Sequence, residues 1–161
     1  MKKKRLFNCL VIIGVLCLLS PLSLQAGPRR DLSDGQTLYV PAYSHIYAGV
    51  RDRAYLLTIT LSIRNIDPDN EVIITRVDYY ETQGKLLKKH IDKPQVLKPL
   101  ESIRYIIPEK DKSGGSGANF MVHWKSEKPV NPPIVEAVMI GTRSQQGISF
   151  TSRGRVIVSA E

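Results

Sequence analysis

Cysteine is nearly absent from this chain. Its 161 residues include two, Cys9 and Cys17, and both fall within the first 26. Beyond Ala26 there is no thiol to form a disulfide, hold a metal or act as a nucleophile. No apolar run of membrane-spanning length follows that point, and no segment holds a helical period over ten or more residues. No Gly-x-Ser-x-Gly elbow marks a hydrolase serine, and no H-x-H or H-E-x-x-H spacing marks a metal.

What is present begins with an address. Lys2, Lys3, Lys4 and Arg5 precede the apolar run "LVIIGVLCLL", and "SPLSLQA" then leads to the small residue Ala26. A positive start, a short apolar core and a small-residue exit predict a secretory signal peptide over residues 1–26. The core is too short for a bilayer span of about 20 residues, which argues against an uncleaved anchor. Neither Cys9, after "LFN", nor Cys17, after "GVL", has the small residue expected ahead of a lipidated cysteine. The expectation is an exported protein, periplasmic, with no membrane span once the signal is removed.

Charge then loses most of its meaning. Four of the 23 basic residues lie in the signal, leaving 19 against 15 acidic ones, or +4. No cluster of arginines and aromatics suggests nucleic acid. The 135 residues after Ala26 suffice for one domain with its own core. Residues 27–35, "GPRRDLSDG", carry no periodicity and are expected to be a mobile lead-in to a single domain over 36–161.

Within that domain the apolar period is two. In "YLLTITLSIRN", Leu57, Ile59, Leu61 and Ile63 alternate with Thr58, Thr60, Ser62 and Arg64, which predicts a half-buried strand. "EVIITRVDYYE" places Ile73, Thr75, Val77 and Tyr79 on one side. With "TLYVPAY", "KLLKKHI", "ESIRYIIP", "NFMVHW", "IVEAVMIG", "GISFTS" and "RVIVS", eight or nine short strands alternate with turn signals. The predicted fold is an all-β, immunoglobulin-like antiparallel β-sandwich, with a small β-barrel as the runner-up.

The glycine-rich stretch "KSGGSGANF" lacks the lysine of a phosphate loop and opens a strand rather than a helix, so it is read as a strand feeder. The minority alternative is a ligand contact by the amides of Gly114, Gly115 and Gly117, with Ser116 and Asn119 assisting. Ser44 and His45, among tyrosines in "YVPAYSHIY", form a second candidate contact. If "NFMVHW" and "IVEAVM" form a hairpin about a loop at 126–133, His123 faces Glu136. That pair is either a register-fixing charge contact or an acid/base pair. His90, in "KKHID", is read as solvated surface, and "DPDNE" as a hairpin turn rather than a calcium loop. No metal, cofactor or catalytic residue is assigned.

The motifs "YVPAYSHIY", "TLSIRN", "GGSGANFMVHW", "PPIVEAVMIG" and "QGISFTSRGR" together resemble an uncharacterised bacterial family, domain of unknown function 3124, over nearly the whole chain after Ala26. The resemblance implies a small exported protein with no assigned activity, substrate or cofactor. It makes the glycine loop and the Ser44–His45 segment family signatures and carries over no catalytic residue. The functional expectation is a non-enzymatic binding or interaction module of the bacterial cell envelope, its partner an envelope protein or a small ligand. The alternatives are a small hydrolase-like enzyme using His123 and Glu136, or a small-ligand carrier with its site around His45.

Overall fold

The computed structural model describes residues 31–48, 53–142 and 147–159; the signal peptide expected over residues 1–26 lies outside them. Twelve strands follow in chain order: β1 (Ser33–Pro41), β2 (His45–Ala48), β3 (Arg53–Leu56), β4 (Thr58–Arg64), β5 (Val72–Tyr80), β6 (Leu86–Lys89), β7 (Gln95–Leu97), β8 (Ser102–Ile107), β9 (Asn119–Val130), β10 (Ile134–Gly141), β11 (Ile148–Arg153) and β12 (Arg155–Ser159). Every pairing is antiparallel. The expected lead-in is shorter than predicted, because Ser33 already pairs with Val130 and β1 begins there.

One main sheet runs β12-β1-β9-β5-β6, with β7 sharing the outer edge of β5; the other runs β11-β10-β4-β8, and β2 and β3 form a separate two-stranded ribbon. The consecutive strands β4 and β5 lie in different sheets, as do β8 and β9, yet β4 pairs with β8 and β5 with β9. These interlocked pairs correspond to the B–E and C–F neighbours of an immunoglobulin-like sandwich. The flanks differ: β1 takes the place beside β9, and β10 the place beside β4. The sheets do not close on each other, so the barrel alternative is set aside.

The inner faces follow the period-two pattern. Leu57, Ile59, Leu61 and Ile63 meet Phe120, Val122 and Trp124 in one core, all 0 % exposed. Burying side chains of this size contributes about 1.5–3 kcal/mol each. Strand β5 departs from its predicted faces. Ile74 faces Trp124 and Arg76 faces His123, leaving Thr75 as an extra, bulged residue. The core residues of this strand are therefore Val72, Ile74, Val77 and Tyr79. Ile73 and Thr75 are displaced from the inner face they were expected to share with Val77.

The chain must cross between sheets without leaving backbone groups unpaired. At one end, two crossings share the Asp67 carboxylate, which is 4 % exposed. Oδ1 accepts from the backbone N–H of Asp69 (3.1 Å) and Asn70 (2.9 Å) and from Asn70 Nδ2 (3.0 Å). Oδ2 accepts from the N–H and the side chain of Asn131, both at 3.0 Å. Asn65 extends the network, its Nδ2 donating to the carbonyls of Asn70, Leu97 and Lys98. A third crossing turns at Gly154, whose N–H donates to Val135 O; an added Cβ there would lie 3.1 Å from both that oxygen and Leu38.

The Asn131 N–H, chief among these donors, holds Asp67 far below its ordinary value of 3.8, against the opposing effect of burial. A depressed folded-state pKa gives stability that is present in full above the unfolded value. It drains away as pH falls through the folded one. Asp67→Asn should therefore lower the melting temperature at pH 7 by several degrees, on the order of 5 °C. The gap to the parent protein should narrow below pH 4 in acid-unfolding curves. A constant gap down to pH 2 would contradict this account.

Candidate functional site

Two groups of the predicted residues can be followed from sequence to place. The first is brought together at one end of the sandwich. Ser44, fully buried, donates through Oγ to Gly115 O at 3.1 Å, and its backbone N–H donates to the same oxygen. Thr82 donates to Gly114 O through both its N–H and its hydroxyl, and accepts from the N–H of Gly117 (3.0 Å). Gly115 N–H is taken up by Lys112 O within the turn. The amides of Gly115 and Gly117 are thus spent inside the protein, and the loop is a clasp rather than an anion cradle. Ser116 is half-buried at its tip, and Asn119 pairs with Pro41 and Tyr80 where the loop enters β9.

Glycine is required in the clasp for two reasons. Gly115 has φ 77°, and an added Cβ on Gly114 would fall 2.7 Å from the buried Tyr79 ring. The Tyr79 hydroxyl beside it is buried with no hydrogen-bond partner, and burial, with Asp111 adding to it, pushes its pKa above the ordinary range. His45 is held on both ring nitrogens, by Ser44 Oγ and by Tyr47 Oη, each at 3.3 Å. Among the described residues no group of three or more His, Cys, Asp or Glu could hold a metal ion.

The second group, His123 and Glu136, is not brought together. Strand β9 runs on to Val130, and Asn131-Pro132-Pro133 carries the chain across to the opposite sheet, so β9 and β10 form no hairpin. His123 instead lies between Thr37 and Arg76, and Glu136 between Ser62 and Arg153, with Arg64 Nε at 3.9 Å. They occupy opposite outer faces, with a core about 10 Å thick between the sheets. The cross-strand pair, and the acid/base chemistry built on it, is withdrawn.

The residues around His123 form the more organised surface. Because of the bulge, Thr75 and Arg76 both reach the outer side of the six-stranded sheet. The Thr75 hydroxyl contacts His123 Nδ1 and donates to its carbonyl oxygen. Burial, helped by the charges of Arg76 and Lys125, lowers the His123 pKa below its ordinary value and favours the neutral imidazole. Arg76 Nε donates to Asp78 Oδ2 at 2.6 Å, and its Nη2 donates to the Tyr80 hydroxyl. Thr75, Arg76, Asp78, Tyr80, Leu86, Lys89 and Ile91 line a shallow cavity at this place. His90 is also not surface as expected. Its ring lies 5.1 Å from Tyr105 and 5.9 Å from Phe120, and burial lowers its pKa.

None of Thr82, Thr75, Arg76 or Lys89 stood out in the sequence. Asp78 could have: a carboxylate in an apolar strand needs a partner, and Arg76, two residues away, shares its face.

The chain belongs to the family described as protein of unknown function (DUF3124), whose model matches residues 35–157. No curated protein matches it. Among solved structures, the crystal structure of Thermotoga maritima 1070 is similar with a TM-score of 0.46 and 15 % identity, over 81 % of this chain and 99 % of that one.

The clasp and the phenol generate opposite expectations. Gly114→Ala should destabilise the protein by about 1–3 kcal/mol through overpacking against Tyr79. Tyr79→Phe, which deletes a hydroxyl that has no partner, should leave stability unchanged or raise it. Denaturant unfolding of the two variants checks both.

Proposed function

We propose that the protein is an exported, non-enzymatic binding module of the bacterial cell envelope, periplasmic once residues 1–26 are removed, acting through the outer face of its six-stranded sheet. The observation that carries this is the bulge at Thr75. It turns Thr75 and Arg76 outward together and sets them beside His123 and Asp78, where hydrogen bonds fix them before any ligand arrives. Fixed polar groups over a closed core suit recognition, since little side-chain freedom is lost on binding. The paired general acid and base that a hydrolase would need are on opposite faces. The Ser44–His45 segment serves the clasp, so a carrier site around His45 is the weaker alternative. The occupant is an envelope protein or a small ligand; mild charge and the lack of a basic cluster argue against nucleic acid.

Native mass spectrometry of the untagged protein from its own host's envelope should show a reproducible added mass or protein partner. Met121 stands across the ladder from Asp78 on this face. Met121→Lys with His123→Gln should abolish the added mass, whereas Glu136→Gln, on the opposite face, should leave it intact. A bare monomer, or equal loss with Glu136→Gln, would overturn the assignment to this face.

A further inference from the structure

We infer that the cavity over β5 and β6 is an anion site that takes a phosphate group; this rests on the binding role of the same face and specifies its ligand chemistry. Asp78 lines the cavity and is 5 % exposed, whereas the Arg76 side chain is 45 % exposed. The buried carboxylate takes Nε and Tyr80 takes one Nη2 hydrogen, which fixes the plane of the guanidinium. Of its five N–H groups, three are left without a partner among the described residues, both on Nη1 and one on Nη2. An exposed arginine is ordinarily a mobile side chain. Here its orientation is set in advance by a buried carboxylate.

The second cation is Lys89, which stands directly across the ladder from Asp78 and lines the same cavity. Thr75 and Tyr80 add hydroxyls to the lining, and Leu86 and Ile91 form its apolar wall. A planar fork and a separate point charge suit different oxygens of one group. Phosphate can accept two parallel bonds from Arg76 and still offer an oxygen to Lys89. A carboxylate has no third oxygen and could reach Lys89 only by sharing one already bonded to the fork. The group can come from a soluble phosphate ester or from a lipid headgroup, and the chemistry at Arg76 is the same.

The test is an amide NMR titration of the protein with inorganic phosphate at constant ionic strength. Saturable shifts are expected at Arg76, Asp78 and Lys89, with none when chloride replaces phosphate. Arg76→Gln should weaken binding at least about tenfold, the scale of a lost charge-assisted hydrogen bond. Arg76→Lys should also weaken it, because an ammonium keeps the charge and loses the fork. Lys89→Gln, at an exposed position, should weaken it severalfold, and Arg104→Gln, on the other sheet, should not.

Asp78→Asn gives the decisive comparison. It raises the net charge by one, so a diffuse electrostatic site would bind phosphate more tightly; a positioned guanidinium would bind it less tightly. Tighter binding in Asp78→Asn, or no phosphate-specific shift in the parent protein, overturns the inference. Flotation with phosphatidylglycerol vesicles, against phosphatidylcholine vesicles, separates the sources. Flotation that depends on Arg76 assigns a lipid headgroup, and a phosphate response without flotation assigns a soluble ester. If phosphate fails while the mass that depends on Met121 and His123 persists, the face binds something other than an anion. If both fail, the binding role fails with the inference.

Discussion

The Asp67 carboxylate holds the architecture together where the chain crosses between the sheets. A sandwich of interlocked strand pairs needs the chain to leave one sheet and enter the other several times, and each crossing strips backbone groups of ladder partners. Asp67 accepts from Asp69 and Asn70 at the β4–β5 crossing and from Asn131 at the β9–β10 crossing, so one side chain closes two of them. Asn65 then ties the first crossing to the carbonyls of Leu97 and Lys98, at the end of β7. The remaining structure depends on this arrangement. Were β9 and β10 joined by a simple hairpin, Asp67 would lose Asn131, and Glu136 would lie beside His123 instead of across the core from it.

The bulge at Thr75 applies the same economy of means to the outer face. Register on the two sides of the bulge differs by one residue, and a one-residue slip exchanges inner and outer positions. Ile74 can therefore stay in the core opposite Trp124 while Arg76 comes out opposite His123, with Val77 back inside. Packing and site are served by one local irregularity. Without it, either Val77 and Tyr79 or Val72 and Ile74 would have to leave the core. The hydrophobic cost of that exchange, several kcal/mol for two large side chains, is what locks the bulge in place.

These two features also mark how far the sequence could be read. The strands and core residues were legible because burial on one face leaves a direct period-two trace, as in Leu57 to Ile63 and Phe120 to Trp124. The pairing of strands was not. Alternation fixes the side on which a residue lies but carries no information about its neighbour across the ladder, so "NFMVHW" and "IVEAVM" fitted a hairpin that Pro132 and Pro133 do not allow. A bulge is equally silent, since one extra residue looks like a continuation of the alternating run until the partner strand is known. The short strands β2, β3 and β7 went unseen: three or four residues give alternation little to show, and of the strands this short only β6 was found. The glycine loop was legible in part: its role as a strand feeder was visible, whereas its inward bonds, from Ser44 to the Gly115 carbonyl and between Thr82 and Gly114 and Gly117, join residues distant in sequence.

The two outer faces put opposite demands on the molecule, and the contrast bears on where binding is to be sought. On the four-stranded sheet, Glu136 reaches Arg64 only at 3.9 Å and Ile106, Ile134 and Ile140 stand exposed, so few polar side chains there are held by short bonds. On the six-stranded sheet a buried carboxylate, a tyrosine hydroxyl and a bulged threonine hold an arginine and a histidine in fixed orientations. Burying Asp78 costs desolvation free energy that an apolar residue would not. Stability alone gives no reason to put an ionised pair there when Val or Thr would serve the strand equally well. Orientation of Arg76 does give one, because a guanidinium whose plane is already fixed loses less side-chain freedom on binding an oxyanion.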